Sequence, residues 1–214
     1  TDGSVLRIGA SSFDGCHGIT ELVIPDGVLI IYDYAFDNCI NLRSVKIPAS
    51  VTTIGNNAFY NCTSLKTADL PEGVTSIGSH AFWGCTALES VKIPSSVTEI
   101  WYYAFAKCTS LKDVSFAPRS SDIDFSDWVF YECTSLVSFT FPEGVTETGS
   151  YMFYKCSSLE HVTLPQTLKT LRQSFMVCDN LKEISIPAGV KTLHSSIFSG
   201  SKLLEVLNFE GTMA

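Results

Sequence analysis

Hydrophobic and polar positions alternate in short segments that recur along the chain about every 23 residues. In one such segment the apolar residues are Val45 and Ile47. Polar Ser44 and Lys46 alternate with them, and a period of two predicts a β-strand with one buried face. Strands repeated at a fixed spacing are expected to lie side by side, about 4.8 Å apart, in one long parallel sheet. Equivalent segments follow Leu65, Leu88, Leu111, Leu136, Leu159 and Leu181.

The residues between two strands repeat as well. Val51 and Ile54 are followed by Gly55, a pattern compatible with a short extended piece and a tight turn. Four apolar residues then stand at the spacing i, i+1, i+4 and i+7, which predicts a short helical turn with one apolar face. In this copy they are Ala58, Phe59, Cys62 and Leu65.

A cysteine three residues after a phenylalanine marks each copy of the repeat. A ninth, imperfect copy keeps Phe198 and Leu204 but has Ser201 in place of the cysteine. Self-similarity with a period of about 20 to 30 residues is the signature of a solenoid, in which each repeat stacks on its neighbours. The sequence therefore predicts a solenoid of about nine rungs. The cysteines are Cys16, Cys39, Cys62, Cys85, Cys108, Cys133, Cys156 and Cys178.

Length, charge and hydropathy limit the classes of function. All 214 residues are expected to form a single domain, with repeats over residues 5–209 and a tail or linker at 210–214. The net charge of −8 and the scattered lysines and arginines exclude the basic stripe that nucleic acid requires. The sequence has neither an apolar run that could span a membrane nor a signal peptide, and an opening Thr1 without Met indicates a fragment.

The unit Leu-x-x-Val-x-Ile-Pro-x-x-Val-Thr-x-Ile-Gly-x-x-Ala-Phe-x-x-Cys is almost intact at residues 42–62 and 88–108. It resembles the BspA-like leucine-rich repeat, and the match extends from Val5 to Phe209. The resemblance implies an α/β fold leaning towards all-β: a right-handed leucine-rich repeat solenoid with a long parallel sheet and short helical turns. It also implies a surface or secreted protein of bacteria or some protozoa, with adhesion proposed for several members. It transfers no catalytic residues.

The eight cysteines could be metal ligands, disulfide partners or free thiols. One cysteine per rung gives a straight column of parallel side chains, whereas zinc needs four ligands that converge tetrahedrally. Parallel Cβ vectors also oppose the torsion of about 90° that a disulfide requires. We therefore expect buried, reduced thiols that pack as small hydrophobic groups, and no metal or other cofactor.

No catalytic residues are predicted. His17, His80, His161 and His194 fall on four different rungs. The sequence contains no nucleophile elbow, HExxH motif or glycine-rich phosphate loop. The chain is therefore expected not to be an enzyme.

The tyrosines and tryptophans are concentrated between the second extended piece and the cysteine, and none lies on the main strand. They favour the positions two residues before and one residue after the buried phenylalanine. Positions three apart share a face of a helical turn, so stacked rungs would align the rings into a stripe. Either this stripe binds a partner, or its rings pack on one another and shield the core. The predicted binding residues are Tyr60, His80, Trp83, Tyr103, Trp128, Tyr131, Tyr151 and Tyr154.

The outward positions of the main strands form a second candidate surface, polar and mixed in charge. Leucine-rich repeats commonly bind ligands on this concave sheet, although a solvated face without a ligand explains the same residues. The predicted binding residues on this surface are Lys46, Asp69, Lys92, Asp113, His161 and Glu183.

One interval departs from the repeat, because 25 residues separate Cys108 from Cys133 and the extra residues fall within 117–124. Insertions in a solenoid bulge at the surface, since the core spacing is fixed. This loop is either a tolerated insertion or a recognition feature, for example a weak cation site. The acidic residues concerned are Asp122, Asp124 and Asp127.

Together these observations predict a non-catalytic protein-binding or adhesion module, extracellular or at a cell surface. Its expected partner is a protein or a glycan on a host or neighbouring cell. Two alternatives stay open: carbohydrate binding by the aromatic stripe, and a structural spacer that holds another domain away from the cell wall.

Overall fold

The computed structural model describes residues 6–119 and 121–211. Within these ranges the chain winds into stacked coils, each built from short parallel strands and the turns that join them. Val5, the predicted start of the repeats, lies outside the described residues, as do Ser120 of the insertion and residues 212–214 of the predicted tail.

Two columns of strands run along the solenoid. The main column contains the alternating segments, and the second column contains the extended pieces that precede the turns. The main column comprises β2 (Glu21–Val23), β4 (Ser44–Lys46), β6 (Thr67–Asp69), β8 (Ser90–Ile93), β10 (Asp113–Phe116), β12 (Ser138–Thr140), β13 (His161–Thr163), β15 (Glu183–Ile186) and β17 (Val206–Phe209). The second column comprises β1 (Leu6–Ile8), β3 (Val28–Ile31), β5 (Thr53–Ile54), β7 (Ser76–Ile77), β9 (Glu99–Ile100), β11 (Asp124–Phe125), β14 (Thr170–Leu171) and β16 (Thr192–Leu193).

The main strands form the predicted long sheet, but its hydrogen bonding is divided into three parts. Five strands pair from β2 to β10, and two further pairs join β12 to β13 and β15 to β17. The first division follows the insertion after β10. The second column also forms a parallel sheet, six-stranded from β1 to β11, because its extended pieces recur at the same spacing and align their backbone groups too.

The predicted short helical turns are not formed, and no helix occurs in the described part of the chain. In the turns every second backbone N–H donates to the neighbouring coil, as from Phe36 to the carbonyl of Ala58 at 2.8 Å. The intervening N–H groups donate three residues back, as from Cys39 to Phe36 at 3.3 Å. Stacking thus uses the donors that an α-helix would direct four residues back. Two residues per turn adopt the left-handed region, for example Asn57 at φ 55° and Asn61 at φ 53°.

The core contains a ladder of phenylalanine rings, one per coil. The rings of Phe13 and Phe36 lie parallel at one end with centroids 5.2 Å apart, and those of Phe175 and Phe198 at the other end are 5.9 Å apart. Phe82 in a central coil is fully buried, whereas Phe198 is half-buried. Stability therefore depends on contacts between neighbouring coils, arranged in one dimension.

Phe82→Ala is expected to lower the free energy of unfolding by about 3–5 kcal/mol, because a cavity opens between two neighbouring rings. Phe198→Ala should cost less, since that half-buried ring stacks on one described neighbour and its coil opens more easily. Urea unfolding of both variants measures the difference. Equal losses at the two positions would contradict one-dimensional stacking.

Seven cysteines donate a hydrogen bond to the carbonyl of a phenylalanine in the preceding coil. Cys62 Sγ, for example, lies 3.2 Å from the Phe36 oxygen. Ser201, which replaces cysteine in the last described coil, makes the same bond to the Phe175 oxygen at 2.7 Å. The thiol is therefore a donor to a core carbonyl as well as the small hydrophobic group that the sequence predicts.

All eight cysteines are free thiols, and seven of them are buried as predicted. Cys16 is only half-buried, because it lies in the first coil and has one described neighbouring coil. Burial raises the pKa of Cys39 to about 11 and that of Cys178 to about 12. It also raises the pKa of each cysteine between these two.

These thiols should make the fold sensitive to alkali. Below about pH 8.5, the ordinary pKa of a thiol, the buried thiols make their full contribution to the free energy of unfolding. At higher pH the unfolded chain releases the thiol protons while the folded chain retains them, so stability falls until the pH passes the raised pKa values. Each buried thiol is expected to remove up to about 1.4 kcal/mol per pH unit. Urea unfolding at a series of pH values measures the loss.

Cys85→Ser provides the control, because serine makes the same hydrogen bond at Ser201 and does not ionise in this range. Above about pH 8.5 its stability should fall less steeply than that of the unaltered protein, by the contribution of one thiol. Identical slopes for the two proteins would refute the assignment of the alkaline loss to the thiols.

Candidate functional site

Eight aromatic residues from five successive coils form one surface at the edge where the coils turn. Each ring is half-buried, and most of them line a shallow depression of about 570 Å³. We call this surface the aromatic face. It consists of Tyr60, His80, Trp83, Tyr103, Trp128, Tyr131, Tyr151 and Tyr154, the residues that the sequence analysis selects.

The rings of the aromatic face stack in two columns along the solenoid axis. In the first column the Trp128 centroid lies 5.6 Å from that of Tyr103 and 4.2 Å from that of Tyr151, with interplanar angles of 13° and 12°. His80 continues this column at 4.9 Å from Tyr103. The inner rings of this column are therefore covered on both faces.

The second column contains a gap. Tyr60 stacks on Trp83 at 6.2 Å, and Tyr131 stacks on Tyr154 at 5.9 Å. Ala106 occupies the same position in the coil between these pairs. Trp83 and Tyr131 lie only 6.2 Å apart across that coil, so the two rings close over the alanine.

Both interpretations of the aromatic residues thus describe part of the surface. The rings do pack on one another, and they also remain half-exposed. Because stacking covers the faces of the inner rings, a partner meets mainly ring edges and their polar groups. Ring edges carry partial positive charge, and tyrosine hydroxyls and the indole N–H are donors.

The residues of the first column have an unusual backbone conformation. The φ angle is 57° at His80, 59° at Tyr103, 64° at Trp128 and 55° at Tyr151. Bulky L-residues rarely adopt this left-handed region, whereas Asn57 at the equivalent position belongs to a type that tolerates it. The local backbone therefore disfavours these rings, and stacking between neighbouring rings offsets part of that cost.

Two lysines line the depression beside the rings. Lys107 Nζ lies 5.2 Å from the Trp83 ring centroid, and Lys155 Nζ lies 5.5 Å from that of Tyr154. Both are cation–π distances. Glu132 lies between the lysines, 4.0 Å from Lys107 and 3.1 Å from Lys155. Two cations and one carboxylate make this edge locally positive on a chain whose net charge is −8.

Hydrogen bonds fix the charge state of this cluster. Partial burial opposes ionisation of Glu132, yet hydrogen bonds from Tyr131 and Lys155 hold its pKa below the usual value. The Tyr131 hydroxyl donates to Glu132 at 2.8 Å, which raises the pKa of Tyr131. Burial lowers the pKa of His80, which favours the uncharged imidazole that stacks on Tyr103.

Trp128→Asn tests whether these rings hold the fold together. Asparagine already stands at this position as Asn57, so the change relieves backbone strain while it removes two stacking contacts. We expect the free energy of unfolding to change by no more than about 1–2 kcal/mol. Thermal and urea unfolding measure it. A loss of about 3–5 kcal/mol, as for a core aromatic residue, would show that the aromatic face is core packing.

The second predicted surface is present on the main strands. Lys46, Asp69 and Lys92 align in register on β4, β6 and β8, and all three are exposed. Alternating charges in one row are mutually attractive. Asp113 is exposed on β10 but stands in the neighbouring row, opposite Ser90. These side chains form an open, solvated row rather than a convergent site.

His161 and Glu183 lie further along the same column of strands. Both are exposed, and together they line a shallow depression of about 360 Å³ over β13 and β15. His161 Nε2 is 3.9 Å from the carboxylate of Glu160. The six predicted strand residues are therefore spread over three separate patches.

The insertion is anchored rather than free. The guanidinium of Arg119 donates to the carbonyls of Ser95 and Val97 in the preceding coil. Asp127 Oδ1 accepts a hydrogen bond from the Ser150 N–H at 2.7 Å, and Asp124 begins β11. The described residues contain no cluster of three or more potential metal ligands. Asp127 thus has a structural role, whereas the side chains of Asp122 and Asp124 are exposed.

Two exposed aromatic residues, Trp101 and Tyr102, lie outside both predicted surfaces. A signal for Trp101 exists in the sequence, since Gly55 and Gly78 occupy its position in the two preceding coils. Trp101 departs from the repeat at a single position, so it does not belong to an aligned column of aromatic residues. Tyr34, also exposed, has the same position two coils before His80, but Asn57 lies between them and interrupts the column.

Parallel strands and turns stacked coil on coil define the class of leucine-rich repeat solenoids. The model of the BspA type leucine rich repeat region matches residues 6–125 and 120–214, in six copies. The chain therefore belongs to the BspA-type leucine-rich repeat family. None of the curated proteins compared with it gives a significant match.

Solved structures of bacterial proteins are similar to the chain. A leucine-rich repeat protein from Bacteroides ovatus is 30% identical with a TM-score of 0.75, covering 96% of this chain and 59% of that protein. The T. pallidum leucine-rich repeat protein is 30% identical with a TM-score of 0.60, covering 68% of this chain and 71% of that one. A leucine-rich cell surface protein from Faecalibacterium prausnitzii shares the fold at 23% identity with a TM-score of 0.50, covering 100% of this chain and 72% of that one.

The chain thus spans 59% of the length of the B. ovatus protein. Among the residues that the structure describes, no helix is long and apolar enough to cross a membrane. The repeat family suggests a protein-interaction or surface-protein module.

Proposed function

We propose that this chain is a non-catalytic protein-binding or adhesion module of a surface or secreted bacterial protein, and that the aromatic face carries its contacts. The partner is a protein on a host or neighbouring cell. The observation that carries this proposal is the double column of half-exposed rings, the first column of which has a backbone conformation that disfavours large side chains.

The chemistry of the aromatic face supports a protein partner rich in acceptors. Tyr and Trp dominate binding hot spots because they supply large contact area at low entropic cost. Here their positive edges lie beside Lys107 and Lys155, which also favour carboxylates and carbonyls. A complementary surface would carry Asp, Glu or exposed backbone carbonyls around a few apolar anchors.

The two alternatives receive less support at this face. A sugar ring stacks on an aromatic face, and the faces of inner rings such as Tyr103 and Trp128 are covered by their neighbours. A structural spacer needs no ring at a left-handed position, because an asparagine, as at Asn57, would fit there with less backbone strain. A non-catalytic role agrees with His80 lying in the ring stack and His161 lying exposed on a strand.

An extracellular or cell-surface location is part of the proposal. The F. prausnitzii neighbour is described as a cell surface protein. The seven buried thiols are compatible with an oxidising compartment, since burial in separate coils protects them from exchange.

The test is a screen of the chain against an array of extracellular proteins, followed by affinity measurements on each partner found. Trp83→Ala and Trp128→Asn reproduce residues that the repeat already accepts, Ala106 and Asn57. Each change should weaken binding by about 2 kcal/mol or more, close to 30-fold, while the melting temperature changes little.

A matched control alters the strand surface through Lys46→Ala, Lys92→Ala and His161→Ala, all exposed positions. This triple variant should bind as the unaltered chain does. If the control loses binding while the two tryptophan variants retain it, the strand surface is the site. Absence of any partner across the array would favour the spacer.

A further inference from the structure

Trp101 and Tyr102 form an exposed aromatic ridge directly after β9. They are 41% and 45% exposed, more than any ring of the aromatic face. Their ring centroids are 6.5 Å apart at an angle of 44°, and no other aromatic ring among the described residues stacks on Trp101. Trp101 differs in this respect from the tryptophans of the aromatic face.

The neighbouring coils cover the Trp101 ring only in part. Its position is occupied by Gly78 in the preceding coil and by Ser126 in the following one, and neither side chain can cover an indole. A Cβ on Gly78 would lie 2.6 Å from the carbonyl carbon of Gly55, so the backbone packing of these coils keeps the position bare. The result is a cleft of about 480 Å³ whose lining includes Gly55, Gly78 and Trp101.

A row of polar side chains borders the same cleft. Asp33 accepts hydrogen bonds from the backbone N–H and the side-chain amide of Asn56, at 2.8 and 3.2 Å. The Asn56 side-chain oxygen accepts from the Ser79 N–H at 2.8 Å. These bonds hold the row in place. The hydroxyls of Thr53, Ser76 and Ser79 have no hydrogen-bond partner within residues 6–119 and 121–211 and are available to a ligand.

We propose that this Trp101 cleft binds a neutral sugar ring, with one face of the sugar on the indole and its hydroxyls on Asp33 and the free serine and threonine hydroxyls. The slightly positive C–H face of a pyranose complements the negative face of an aromatic ring. The cleft lacks the free backbone edge that an extended peptide would need, because β5, β7 and β9 are each paired on both sides. Asp33 is its one charged residue, which suits an uncharged, donor-rich ligand.

This site is distinct from the aromatic face and does not depend on the proposed function. The depression of the aromatic face is lined by ring edges and two lysines, and it shares no residue with the Trp101 cleft. The exposed indole and the hydroxyls without a described partner occur together at this cleft.

Affinity electrophoresis of the chain in native gels that contain mannan, β-1,3-glucan or arabinogalactan tests the proposal. At least one of these neutral polysaccharides should retard the protein. Trp101→Ser, which copies Ser126 of the next coil, should weaken that retardation by about tenfold or more. Trp83→Ala, a tryptophan change on the aromatic face, should leave it unchanged. Unfolding curves confirm that both variants are folded.

Three outcomes would overturn the inference. The first is that none of the polysaccharides retards the protein. The second is that Trp101→Ser is retarded as strongly as the unaltered chain. The third is that Trp83→Ala is no longer retarded while Trp101→Ser still is. The last would assign sugar binding to the aromatic face instead. Binding of a protein partner through the aromatic face is measured separately, so either proposal can fail without the other.

Discussion

The backbone hydrogen bond from one coil to the next is the constraint on which the rest of this structure depends. In the turns every second N–H is used for it, as between Phe36 and Ala58 at 2.8 Å or Phe59 and Ala81 at 2.8 Å. Each coil must therefore place its residues directly over those of its neighbour. Registry of this kind explains why the repeat is so regular, because a residue that fits one coil fits the same place in the next.

Registry also determines what the surface can offer. Rings at one position stack on each other, so the aromatic face loses most of its ring faces and retains edges. Away from the ends of the columns, a ring lacks a stacked neighbour where a large residue stands between small ones, as Trp101 does between Gly78 and Ser126. The same rule that builds the core thus separates the proposed protein-binding surface from the proposed sugar cleft.

Much of the fold follows from the sequence, because core positions repeat. The strand alternation around Val45, the column of phenylalanines and the two aromatic columns are all found where the pattern predicts them. The turn conformation was not predictable in this way. The spacing i, i+1, i+4 and i+7 fits a helical turn, but hydrogen bonds to the next coil compete with helical ones, and a single repeat gives no measure of that competition.

Other features were missed because they depend on hydrogen bonding or on exceptions to the repeat. A cysteine pattern alone cannot show that Cys62 donates to the Phe36 carbonyl, although the serine at position 201 was a clue that a donor is needed there. Trp101 could not be predicted from aligned columns either, since a single ring at a position that is glycine in the two preceding coils forms no repeating pattern. The site residues could thus be placed on a common edge from the sequence, while their stacking and the charge cluster at Glu132 required coordinates.

Specificity in such a solenoid must come from the positions that registry leaves free. A change in the phenylalanine ladder alters the contacts with both neighbouring coils at once, so it destabilises the core on both sides. Adjacent coils carry Gly78, Trp101 and Ser126 at one turn position, and the strands that precede them remain paired in register. The surface can therefore differ at one such residue from coil to coil while the strands stay paired. Ala106, which lets Trp83 and Tyr131 approach within 6.2 Å, and Trp101, which walls a glycine cleft, are two such changes in one coil.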